Sequence, residues 1–187
     1  MSVSCKTPQL VSGRSMPVLV VLQCSMLSAL AIVLGQFLAP IPNVELITLV
    51  VFAAGYLGGY TGGIVTALTT TICFNFLNPM GAVILPVLAI QGVSWSIVAA
   101  GGASFYIVCG EKFEKYYLAI AGALVTLQYQ VFLNIAFFLF FTDQRSIKAF
   151  TVVIIAALPF SLVHIVWNTA VFYSIGKRVL EIVGKHR

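Results

Sequence analysis

Between Pro17 and Gly176 almost every residue is apolar, and charge is confined to a few short islands. The chain is 60% hydrophobic and 8% charged. Soluble domains carry about 25% charged residues, so this much apolar surface calls for lipid as the solvent. The basic residues sharpen the point. Lys6 and Arg14 precede the apolar region, Lys112 and Lys115 form one island, and Lys177, Arg178, Lys185 and Arg187 follow the last apolar stretch. Arg145 and Lys148 make a second island. With six crossings, eight basic residues face one side and two the other. Positive loops stay in the cytoplasm, so the expectation is an all-α integral membrane fold. It has six transmembrane helices and both termini cytoplasmic.

About 20 apolar residues span a bilayer. The expected helices cover about 17–39, 44–59, 62–76, 83–108, 117–141 and 150–176, a single membrane domain over 1–187. The first follows a basic leader but is longer than the roughly 7–15 residues of a signal peptide core, which predicts a retained helix. Pro40 and Pro42 end it, since proline cannot continue the hydrogen-bond ladder. The second and third are short, and the Gly-rich stretch Gly58 to Gly63 predicts a reversal between them. Pro159 predicts a kink in the last. No catalytic residue, metal site or cofactor is expected. Cys5, Cys24, Cys73 and Cys109 show no CxxC spacing. The net charge of +5 reads as helix-end anchoring rather than nucleic-acid binding.

Uncharged polar residues inside the helices form groups. At 100° per residue, Ser161, His164 and Asn168 fall within about 60° of one another. Gln91, Ser94 and Trp95 share a helix face, and Thr126, Gln130 and Asn134 lie at i, i+4, i+8. Asn43, Glu45, Asn75 and Asn78 come near one membrane surface. Their plain reading is interhelical hydrogen bonding, about 0.6 kcal/mol each. A cavity with an aromatic wall and a few convergent polar groups is a small-molecule site. That reading selects Asn75, Asn78, Gln91, Trp95, Asn134, His164 and Asn168 as ligand contacts, and a ligand held by neutral donors and acceptors. On the first helix, Ser25/Ala29 and Ala31/Gly35 are small-xxx-small pairs that let another helix approach. They serve either packing within the bundle or a partner protein.

The chain resembles the substrate-binding S-components of energy-coupling factor (ECF) vitamin transporters. The likeness runs from the first helix to the last. It is carried by Pro42-Asn43-Val44-Glu45 leading into Ala54 through Gly63, by Asn75 through Asn78-Pro79-Met80-Gly81 with Gln91 and Trp95, and by Pro159-Phe160 with His164 and Asn168. The resemblance implies a subunit of a bacterial or archaeal cytoplasmic membrane that binds a vitamin with high affinity. It also implies association, through the first helix, with a coupling protein driven by two ATPases. The family's AxxxA pattern is degenerate here, since Ser25/Ala29 and Ala31/Gly35 keep small size without both alanines. The Asn75, Gln91 and Trp95 region looks most like cobalamin-type members. The chain has no GxxxxGK[ST] phosphate loop, so energy for pumping would come from the ATPases.

Two other classes compete. A rhomboid-like intramembrane serine protease has a GxSG serine on its fourth helix and a histidine on its sixth; Gly92-Val93-Ser94-Trp95 and His164 mimic that pair, with Trp95 in place of the second glycine. A structural membrane protein requires neither ligand nor cavity.

Overall fold

A computed structural model describes residues 18–78, 81 and 83–184. Lys6, Arg14, Lys185 and Arg187 lie outside them. The described residues form helices α1 (Val18–Leu38), α2 (Ile47–Phe76), α3 (Leu85–Cys109), α4 (Lys115–Phe141) and α5 (Ile147–Val171). A wide helical turn (Phe172–Gly176) then leads into the short α6 (Lys177–Gly184). Among the described residues five helices are long and apolar enough to cross a bilayer, counting α5 through α6 as one. The expected six is corrected on that count.

The difference lies in α2. The expected pair of helices, 44–59 and 62–76, is one element interrupted at Gly59, whose φ of 65° and ψ of −163° only glycine adopts readily. The chain doubles back there. A Cβ on Gly63 would stand 2.7 Å from the Cα of Gly55, although eight residues of straight helix span about 12 Å. The open ends of the two limbs meet as well, because Gly35 faces both Ile47 and Phe74. The limbs are about 18 Å and 25 Å long at 1.5 Å per residue, each short of the ~30 Å hydrocarbon core. The sequence pattern marked both the reversal and the shortness of the two segments; the structure joins them through Gly59 as one element.

The first limb of α2 is the centre of the bundle, with every residue from Ile47 to Leu57 buried. It meets α3 backbone to backbone. A Cβ on Gly55 would lie 1.8 Å from the Ala99 carbonyl oxygen, and one on Gly102 would lie 1.9 Å from the Phe52 carbonyl oxygen. Beyond this crossing, Phe52 packs edge to face with Phe105 and Phe172. The Tyr56 hydroxyl donates to the Gly110 carbonyl at 3.0 Å. α1 covers the outside of α2, and α3, α4 and α5 follow as successive neighbours.

The bundle has two distinct ends. One holds the Gly59 reversal, the start of α1 (Val20 and Cys24 face Gly58), the α3–α4 connection and α6. Both limits of the described chain therefore lie at this end, together with Lys115, which sits 5.8 Å from the Tyr173 ring centre, and Arg178. Arg145 and Lys148 lie at the opposite end, where α4 passes into α5. Pro159 sits within α5.

Candidate functional site

At the end away from α6, the α1–α2 connection folds in against α5. Asn43 turns the chain with a φ of 60°, a left-handed conformation that asparagine tolerates better than most residues. The turn carries Glu45 into a ring of donors. Glu45 Oε2 accepts from the Thr48 backbone N–H at 2.8 Å. Oε1 accepts from Asn168 Nδ2 at 2.8 Å and lies 3.1 Å from His164 Nε2. The Trp167 indole N–H donates to the Glu45 carbonyl at 2.8 Å. Three residues one turn or less apart on α5 therefore grip one loop residue.

The ring continues behind His164. Ser161 Oγ donates to Gln130 Oε1 at 3.4 Å, which turns the Gln130 amide NH2 toward His164 Nδ1 at 2.7 Å. The ring thus bridges the Gln130 amide on one side and the Glu45 carboxylate on the other. Burial pushes the Glu45 carboxyl up, but its bonds and charge contact with His164, and its bonds from Thr48 and Asn168, outweigh burial and hold it below the usual range.

Two hollows open on this network. The smaller, about 240 Å³, lies under the α1–α2 connection and is lined by Asn43, Glu45, Phe74, Tyr129, Gln130 and His164 among others. The larger, about 900 Å³, lies between the start of α3, α4 and α5. Its walls are chiefly apolar, including Val87, Phe137 and Phe160, with Gln130 and Asn134 as its amides. Gln130 and Leu133 line both hollows and so form their common wall.

The expected contacts are distributed unevenly around these spaces. Asn134 lines the larger hollow and His164 the smaller, while Asn168 is fully buried behind Glu45. Asn75, Gln91 and Trp95 form a neighbouring cluster. Asn75 Nδ2 donates to Gln91 Oε1 at 2.8 Å, and Gln91 Nε2 donates to the Tyr129 hydroxyl at 3.1 Å. Trp95 stacks on Tyr129 with ring centres 6.1 Å apart, and Phe74 meets it edge to face. The cluster touches the hollows only through Tyr129 and Phe74. Asn78 follows α2, its carbonyl accepting from the Gly81 N–H at 3.1 Å, and lines neither space. Glu45, Tyr129 and Gln130 were not selected from the sequence. An acid embedded between Val44 and Leu46 in an apolar stretch was the available signal, because intramembrane carboxylates are costly and functional.

The protease pairing does not form. Both ring nitrogens of His164 are engaged by Gln130 and Glu45, and the buried Ser94 Oγ has no hydrogen-bond partner. No nucleophile is activated where its base is held elsewhere. The small-residue stripe on α1 also divides. Ala31 and Gly35 are buried, Gly35 against Ile47 and Phe74. Ser25 and Ala29 are exposed and line a largely apolar groove of about 390 Å³ with Gly62, Val65 and Thr69 of the second α2 limb.

Residues 20–176 match the model of the family described as ECF transporter, substrate-specific component. The chain belongs to this family. The match takes in most of each of the five long helices and the network around Glu45. An S-component is a multi-pass membrane protein and a part of a transporter, not an enzyme, and it works with a module of two ATPases and a transmembrane coupling protein. No curated protein and no solved structure matches this S-component.

Proposed function

We propose that this S-component captures a vitamin or vitamin precursor in the paired hollows and delivers it across the cytoplasmic membrane of a bacterium or archaeon. The observation that carries the reading is the larger hollow. It is within the roughly 300–1,000 Å³ range of small-molecule sites, mostly apolar, with a few fixed polar groups. A purely structural membrane protein has no use for it. Gln130 and Asn134 orient the cargo, His164 and Glu45 meet it in the smaller space, and Asn168 holds Glu45. Asn75, Gln91 and Trp95 support the wall through Tyr129. A cobalamin-type cargo rests on the sequence likeness of Asn75, Gln91 and Trp95 alone.

The end with α6, Lys115 and Arg178 is cytoplasmic on this reading, because basic loops stay inside. The hollows then face outward. The coupling protein docks along the α1 groove, where Ser25 and Ala29 leave room for a helix to approach. Ala157→Phe places a ring in the larger hollow. It is expected to abolish retention of small molecules by the purified full chain, read by mass spectrometry of the released fraction, while the melting temperature holds. Unchanged retention would refute the site. Gln130→Ala and Asn134→Ala each remove one neutral hydrogen-bonding group, and are expected to weaken binding about 2- to 10-fold.

A further inference from the structure

The linings of the two hollows contain a carboxylate and no lysine or arginine. Resting on the uptake reading above, we propose that the cargo is a cation, with a positively charged nitrogen-bearing end seated in the smaller hollow against Glu45 and an apolar body in the larger one.

Glu45 meets an asparagine amide, a backbone N–H and the His164 imidazole. The imidazole is the one group on it that can carry positive charge, and only when protonated. Among the described residues the fixed cations at this end, Arg145 and Lys148, line neither hollow, and Arg145 donates to the Leu139 carbonyl at 3.1 Å. A carboxylate in an apolar bundle is unfavourable by several kcal/mol unless it is paired. A cationic guest supplies that pairing as a fixed charge.

The geometry agrees. Oε1 already has two partners, whereas Oε2 has only the Thr48 amide. A carboxylate offers about four acceptor positions, so Oε2 retains room for a donor from the ligand. Tyr129 and Phe74 line the same small space, and aromatic faces attract cations. A cargo bearing a carboxylate or phosphate would instead meet a like charge and no lysine or arginine.

The test uses the detergent-purified full chain. Small molecules it retains are released and identified by mass spectrometry. Binding of thiamine, a permanent cation, and biotin, an anion, is titrated for the wild type, Glu45→Gln and Glu45→Asp. A released compound that is cationic at neutral pH, or a thiamine affinity about tenfold or more above that for biotin which Glu45→Gln erases and Glu45→Asp partly restores, supports the proposal. A released anion or neutral molecule overturns it, as does a biotin affinity equal to or above that for thiamine, or a preference that Glu45→Gln leaves intact. In each of these the uptake reading stands, since a guest is bound. A chain that releases nothing and binds neither probe fails the uptake reading, and this inference with it. Identification of the wild-type guest needs no variant, so misfolding of Glu45→Gln leaves the proposal exposed to refutation.

Discussion

Gly55→Ala is expected to separate α2 from α3. The added methyl would sit 1.8 Å from the Ala99 carbonyl oxygen and 2.7 Å from its carbonyl carbon. Contacts are optimal near 3.5–4.0 Å, so the helices must part by about 1.5 Å or more. The obstacle is backbone, which has no rotamer to give way. Overpacking of this kind costs typically about 1–3 kcal/mol, occasionally more. Alanine gains about 1 kcal/mol in helix propensity, leaving a net loss near 2 kcal/mol when the clash is at the upper end. At about 2–4 °C per kcal/mol for a domain of this size, the melting temperature should fall by roughly 4–8 °C. Thermal unfolding of the purified protein in detergent, followed by size-exclusion chromatography, reads this out. Gly176→Ala is the control. Its Cβ would meet nothing closer than 3.5 Å, so propensity governs and stability should hold or rise. Gly55→Ala melting at or above the wild-type temperature would show that the two helices do not cross in backbone contact.

Other outcomes follow from single positions. Gly59→Ala meets no atom within 4 Å, yet its φ of 65° and ψ of −163° should cost about 1–3 kcal/mol; a melting temperature equal to wild type would mean that the chain does not reverse there. Ser94→Ala removes a buried hydroxyl with no partner, so stability should be unchanged or up by as much as ~1 kcal/mol, with ligand retention intact; loss of retention would return Ser94 to the site.

Periodicity and composition carried the elements that face lipid. α1, α3 and α4 fall within two residues of their expected limits, because a run of about 20 apolar residues has one stable state in a bilayer, a helix with its backbone bonds closed internally. The glycine cluster marked the reversal at Gly59. The sequence pattern missed the wide turn at Phe172–Gly176, which splits the last helix where Phe172 packs on Gly122; no residue type marks such a turn. At the site, the α5 grouping of Ser161, His164 and Asn168 was legible, because a helix places i, i+3 and i+7 on one side. What those residues face was not.

By its sequence this protein was bound to be a helical membrane chain, since 60% apolar residues and so few charges leave no soluble alternative. Only the tertiary structure decided that α2 and α3 cross backbone to backbone at Gly55 and Ala99, that Asn75 and Gln91 serve each other, and that Glu45 sits at the centre of the polar ring. Glu45 and His164 are 119 residues apart, and no local rule measures a distance that only packing closes.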